Sequence, residues 1–172
     1  MNANFALAVT AASLLALSGC SKKAPAELPP APQASNGPTA TGPATGPLGA
    51  VPGTQAHFAQ AMNGRDTIYF DTDRYNIDAE DQTALASQAQ YLQQYAAARA
   101  TVEGHADERG TRDYNIALGE RRANAAKAYI ASLGISPDRL SVVSYGKERP
   151  VALGSNEEAW AKNRRAVTVL LN

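Results

Sequence analysis

The chain has 172 residues, 16 lysines and arginines against 16 aspartates and glutamates, a formal net charge of +0 and 44% hydrophobic residues. That balance excludes a general nucleic-acid binder, which needs a surplus of basic side chains for phosphates, and a polybasic membrane tail. One cysteine and two histidines, His57 and His105, exclude an intrachain disulfide, a CxxC redox motif and a cysteine-rich or multi-histidine metal centre, so neither metal nor cofactor is expected.

The composition is unevenly spread. Eight of the ten prolines fall between Pro25 and Pro52, whereas residues 54–172 carry 14 of the 16 basic and 15 of the 16 acidic side chains. Phe5 to Leu17 is an almost unbroken apolar run. It is too short to span a bilayer, which needs about 20 residues, but has the length of a signal-peptide core. It ends in Leu17-Ser18-Gly19-Cys20, which resembles the lipobox of bacterial lipoproteins, where the peptide is cut before a cysteine that then carries lipid. Residues 1–19 contain no Lys or Arg, a departure from that pattern. Residues 1–19 thus read as a signal peptide and Cys20 as the lipidated residue. Ser21 stands where an aspartate often signals inner-membrane retention, and so points to the outer membrane. Residues 20–53 then form a lipidated, Pro/Ala/Gly-rich tether without apolar periodicity, read as disordered. Its reach is about 100 Å in polyproline geometry and roughly 30 Å as a flexible coil.

Residues 54–172 read as the folded domain. Thr54 to Asn63 forms a short helix capped by Thr54, and Thr67 to Phe70 a strand left through Asp71-Thr72-Asp73-Arg74. Asp78 caps a helix running to about Tyr95, with Leu85, Ala89, Leu92 and Ala96 on one face. Ala100 to Glu103 is a strand ended by Gly104. A polar loop leads to a long helix from about Thr111 to Leu133, stopped by Gly134. Ser136-Pro137 turns into a strand at Ser141 to Tyr145. A short helix at Asn156 to Asn163 precedes a last strand at Ala166 to Leu171. The fold class is α/β: a two-layer sandwich, β-α-β-α-β-(short α)-β, with helices on one face of a mixed four-stranded sheet.

The long helix carries a polar group on its apolar face. With about 100° per residue, Tyr114, Leu118, Ala125, Tyr129 and Leu133 form one stripe, extended by Ala123, Ala126 and Ile130. Arg122 and Asn115 fall inside it. An arginine in a core must be paired or must line a pocket, because burying an isolated charge costs several kcal/mol. Asp107 is the candidate partner. Either Asp107 and Arg122 form a structural pair that pins the loop, or they face a pocket with one acid and one base, suited to a zwitterion. The helix start beside Gly110-Thr111 adds backbone donors for an anionic end.

Val102-Glu103-Gly104-His105-Ala106-Asp107-Glu108-Arg109-Gly110-Thr111, followed by Tyr114-Asn115-Ile116-Ala117-Leu118-Gly119-Glu120-Arg121-Arg122-Ala123, resembles the signature of OmpA-like peptidoglycan-binding domains. Tyr69-Phe70-Asp71, Val143 to Pro150 and Asn163-Arg164-Arg165-Ala166-Val167 extend the resemblance over about Asp66 to Leu170, and the lipobox and tether place the chain beside the lipoprotein members. The resemblance implies noncovalent binding of the diaminopimelate in the peptidoglycan stem peptide. Asp107 is expected to take its ammonium and Arg122 its carboxylate. Leu118 and Asn115 line the same helix face. Thr72, Asp73, Arg74 and Tyr75 supply the opposite wall, and Arg109 is a further contact. The resemblance also implies a place in the Tol system, with TolB, whose docking surface overlaps the peptidoglycan site, and other Tol proteins as partners.

Two rivals were weighed. Glu103, His105, Asp107 and Glu108 look like a hydrolase or metal cluster, but 103, 105 and 107 share a face only if the strand continues through Gly104. Neither HExxH nor GxSxG occurs, so an enzyme is not expected. The other rival is a lipoprotein that contacts only proteins, using Trp160 and Tyr145. The lipobox generates a direct expectation. Cys20→Ala leaves the protein unlipidated, and it no longer fractionates with outer membranes once the wall is digested. Unchanged fractionation would refute the lipid anchor.

Overall fold

The computed structural model describes residues 49–171. The lipobox, Cys20 and the tether up to residue 48 lie outside the described residues, as does Asn172.

Each helix begins where its sequence supplies a cap. Helix α1 (Gln55–Met62) starts at Thr54, whose side chain accepts from the His57 N–H. Strand β1 (Thr67–Tyr69) follows. Helix α2 (Ala79–Gln94) starts at Asp78, which accepts from Asp81 N–H. Strand β2 (Arg99–His105) leads to helix α3 (Arg112–Ser132), capped by Thr111. A 3-10 turn (Pro137–Arg139) enters β3 (Leu140–Gly146). Helix α4 (Glu157–Asn163), capped by Asn156, runs into β4 (Arg165–Leu171). Each cap satisfies an N–H that the helix itself leaves without a partner.

The sheet order is β1-β4-β2-β3. β2 and β3 are parallel, and β4 is antiparallel to both β1 and β2. The chain's last strand therefore sits inside the sheet. Alternation sends Ala100 and Val102 of β2 and Ala166 and Leu170 of β4 into one core, with Phe58 and Met62 of α1, Leu85, Ala89 and Leu92 of α2, and Ala123, Ala126 and Ile130 of α3. Two polar groups in this core pair with each other. Gln88 donates to Arg65 O at 2.6 Å and accepts from Thr168 Oγ1 at 2.7 Å, joining α2 to β4.

Two details differ from the sequence expectation. First, β2 does not end at Gly104 but continues to His105, with a register irregularity between the two. Gly104 is there because α3 crosses so closely that a Cβ on it would overlap the Gly119 carbonyl. The glycine marks a backbone contact and not a strand end. Second, the buried face of α3 is Asn115, Leu118, Gly119, Arg122, Ala123, Ala126 and Ile130, while Tyr114 is exposed. The helix is rotated so that the glycine contact and the two polar residues lie at the centre of the stripe, not on its edge.

The contact between Gly104 and Gly119 sets the distance from α3 to the sheet. Gly104→Ala should cost about 3 kcal/mol or more, since backbone must move on both sides. A urea unfolding midpoint within error of wild type would contradict this.

Candidate ligand-binding site

The site is assembled around Arg122. Its side chain is fully buried, and three of its five guanidinium N–H groups donate to backbone carbonyls. These are Arg74 O at 2.9 Å, His105 O at 2.8 Å and Asp71 O at 3.1 Å. The Phe70 ring lies 5.2 Å from the guanidinium carbon. Burial lowers its pKa to about 10, with the Asp107 charge acting in the other direction, so it stays charged at neutral pH. The structural Asp107–Arg122 ion pair considered from the sequence does not form. Carbonyls satisfy the cation instead, and they belong to the two segments that flank the site. Arg122 thereby fastens the turn after β1 to the end of β2.

That turn is tight. Arg74 N–H donates to Asp71 O at 3.1 Å, and Asp73 takes a left-handed φ of 55°, which aspartate tolerates better than most side chains. Asp73 Oδ1 accepts from the Tyr114 hydroxyl at 3.0 Å, linking the turn to the first turn of α3.

The opposite wall is the loop after β2. Asp107 Oδ1 accepts from Arg109 N at 3.1 Å and Arg109 Nε at 3.0 Å, and Oδ2 from Arg109 Nη2 at 2.7 Å. Arg164 Nη1 stands 3.5 Å from Oδ2. Burial alone pushes the Asp107 carboxyl up. The Arg109 hydrogen bonds and the Arg109 and Arg164 charges outweigh it and hold the group below the usual carboxylate range. Arg109 also reaches Thr72 Oγ1 at 3.3 Å and lies 4.2 Å over the Trp160 ring, while Trp160 Nε1 donates to Glu108 at 3.0 Å. Asn115 Nδ2 donates to Arg109 O at 2.7 Å, and Lys147 Nζ to Gly110 O at 2.7 Å. The loop is thus held from three sides.

Between the walls is a pocket of about 240 Å³ lined by Thr72, Asp73, Asp107, Arg109, Gly110, Tyr114, Asn115 and Leu118. Six of the nine residues expected from the sequence meet here: Thr72, Asp73, Asp107, Arg109, Asn115 and Leu118. Arg122 lies beneath, not in the lining. Arg74 contributes its carbonyl to Arg122. Tyr75 belongs to a different hollow, with Ala117, Arg121 and Asn124. Gly110, expected beside the anionic end, lines the pocket too, whereas sequence reasoning missed Tyr114 and Arg164. The signal for Arg164 was present in Asn163-Arg164-Arg165, two adjacent cations entering an inner strand.

The rival cluster separates. His105 is buried, its ring tilted against Tyr145 at 5.5 Å and 3.8 Å from Glu103. Burial, with Arg165 and Arg149, lowers its pKa to about 4, so it is neutral. Neither His105 nor Glu103 lines the pocket. Among the described residues, no group of three or more His, Cys, Asp or Glu is placed to hold a metal ion, and no helix is long and apolar enough to cross a membrane.

Comparison with known proteins gives consistent results. Residues 69–164 match the profile of the OmpA family. A peptidoglycan-associated lipoprotein of Mesorhizobium japonicum is 48% identical over 92% of this chain and 87% of its own length. One from Agrobacterium fabrum is 52% identical over 70% of this chain and 67% of its own. The crystal structure of the peptidoglycan-associated lipoprotein from Burkholderia pseudomallei superposes with a TM-score of 0.60 at 43% identity, covering 61% of this chain and 89% of that one. The C-terminal domain of Helicobacter pylori MotB, at 21% identity, TM-score 0.58 and coverage of 62% and 84%, shares the fold.

The electrostatics of the pocket give a signed expectation. A carboxyl held below its unfolded pKa stabilises the folded state above about pH 4 and loses that contribution as pH falls through its folded value. Asp107→Asn should therefore destabilise by about 1.5–3 kcal/mol at pH 7, the range for hydrogen bonds to charged groups. The gap to wild type should hold from pH 7 down to about pH 4 and narrow from there toward pH 3. Urea melts at both pH values measure it, and a gap independent of pH would show that the Asp107 charge is not involved.

Proposed function

We propose, for a chain that belongs to the OmpA family and within it to the peptidoglycan-associated lipoproteins, that it ties the outer membrane to the cell wall. The lipid on Cys20 holds one end in the inner leaflet, the tether spans part of the periplasm, and the folded domain binds peptidoglycan noncovalently. Several acyl chains give stable anchoring, at about 0.8 kcal/mol per buried CH₂.

The observation that carries this reading is the pocket between the two loops, with its ionised, nearly buried Asp107 beside Arg109. An acid and a base side by side on one wall, with an apolar Leu118 and an amide from Asn115, suit a side chain that ends in both an ammonium and a carboxylate. The diaminopimelate of the stem peptide is such a group. Asp107 takes the ammonium. Arg109 at the rim and Arg122 beneath supply positive charge for the carboxylate, and Thr72 and Asp73 close the opposite side. The domain works as a binding module and not as an enzyme. Its partners in the envelope are TolB and the other Tol proteins, and the linkage serves envelope integrity during cell division.

The test uses the full-length protein in detergent with purified sacculi. Asp107→Ala, shown by melting to be folded, removes a charge-assisted contact of about 1.5–3 kcal/mol, so affinity falls at least tenfold. Free diaminopimelate competes with sacculi for the wild-type protein. A folded Asp107→Ala that co-sediments at wild-type affinity, together with no competition by diaminopimelate, would leave the lipoprotein as a binder of proteins alone.

A further inference from the structure

Asp107 has two arginine neighbours, and they are built differently. Arg109 is the exposed one. Its side chain is 38% exposed and rests on the Trp160 face. Arg164 is the fixed one. Its side chain is 7% exposed, with Nε donating to Phe70 O at 2.9 Å and Nη2 to Glu157 at 2.7 Å. Its backbone is pinned as well: Phe70 N–H donates to Arg164 O at 2.9 Å, and Arg164 N–H to Trp160 O at 3.0 Å. The remaining nitrogen, Nη1, is buried with no hydrogen-bond partner, 3.5 Å from Asp107 Oδ2. A buried donor without a partner is costly, and this one lies within ion-pair distance of a carboxylate.

The free site is closed on itself. Arg109 donates to both oxygens of Asp107, so an ammonium entering the pocket must take the place of the Arg109 guanidinium. During that exchange Asp107 is nearly buried and has lost its principal cation. The charged groups around it are Arg109 and Glu108 on its own loop, Asp73 on the turn after β1, Arg122 on α3, and Glu157 and Arg164 at α4. Arg122 directs its donors at three carbonyls. Arg122 is fixed as well and feels the Asp107 charge, but of the two fixed cations it is Arg164 that brings a nitrogen within ion-pair distance of the carboxylate.

We propose that Arg164 is the positioning residue of this site: it stays beside Asp107 as a fixed cation, keeping the carboxylate ionised and in place, while Arg109 yields to the ligand's ammonium. A shift of Oδ2 by a few tenths of an ångström gives Nη1 its missing partner. The inference rests on the zwitterion reading above and adds the means by which the closed site opens without neutralising its acid.

The experiment measures binding of the tripeptide L-alanyl-γ-D-glutamyl-meso-diaminopimelate to the full-length protein in detergent, by calorimetry from pH 3 to pH 7. Wild type, Arg164→Gln and Arg164→Lys are compared, each checked by melting. With Gln the fixed charge is gone. The acid midpoint of binding should rise by about one pH unit, the lower end for loss of an adjacent opposite charge, and affinity at pH 7 should fall about tenfold. With Lys the charge is kept, so the midpoint should stay at the wild-type value and the loss at pH 7 should be under about threefold. A purely structural role would lower affinity in both variants and move the midpoint in neither. A folded Gln variant with an unmoved midpoint overturns the proposal. Should the Gln variant not fold, the Lys variant decides, and a midpoint that rises there overturns it too. If wild type does not bind the tripeptide at all, the zwitterion reading falls and the role of Arg164 falls with it.

Discussion

Arg122 places a fully buried guanidinium under the ligand end of the domain, and the geometry of that end follows from how it is satisfied. Desolvating such a cation costs several kcal/mol. Three bonds from a charged donor, at about 1.5–3 kcal/mol each, are of the size needed to offset it. Because the acceptors are carbonyls of Asp71, Arg74 and His105, the compensation comes from backbone, and the backbone is what becomes fixed. Two loops that share no strand pairing are locked to one helix. A carboxylate partner would have cancelled the charge, whereas carbonyls leave it in place. The pocket therefore has a positive floor that it does not touch.

On that floor the side chains are arranged by exposure. Phe70, Glu157 and the end of α4 hold Arg164. Arg109 bonds Asp107 and Thr72 and lies on the Trp160 face, but its side chain is 38% exposed and its partners are within the pocket itself. Asp73 and Tyr114 close the rim with a single hydrogen bond at 3.0 Å. Buried groups bonded to the strand and helix ends form the frame, and exposed groups bonded across the pocket form the part that a ligand can displace. In this respect the site follows the general pattern in which rigid elements carry the less stable loops that do the binding.

The sequence revealed the fold through local signals. Thr54, Asp78, Thr111 and Asn156 announce helix starts, and each caps as its chemistry requires. The short runs Ser141 to Tyr145 and Ala166 to Leu171 marked β3 and β4. Gly104 misled because a glycine that ends a strand and a glycine that admits a crossing helix look alike until Gly119 is placed opposite it. The polar residues in the α3 stripe were legible as an anomaly. What they bonded to was not, since the carbonyl acceptors are 17 to 51 positions away and carry no side-chain signature. Tyr75 fell outside the pocket for a similar reason. The turn before it reverses at Asp73, and neither composition nor spacing records which way the next side chain is carried.

The position of β4 has a consequence for how the domain comes into being. This last strand lies between β1 and β2, and β1 has no other neighbour. Until β4 is available, the residues of β1 have nothing to pair with, and the core faces of Ile68 and Val102 have no Ala166 or Leu170 between them. Pairings such as Ile68 with Ala166 close loops of about a hundred residues, and such distant contacts are slow to form. Before β4 joins the sheet, the helices and the β2–β3 pair can form, but β1, the strand that leads into the ligand turn, has no strand to pair with. The ligand turn is thus tied into the sheet only through the most distant pairing in the domain.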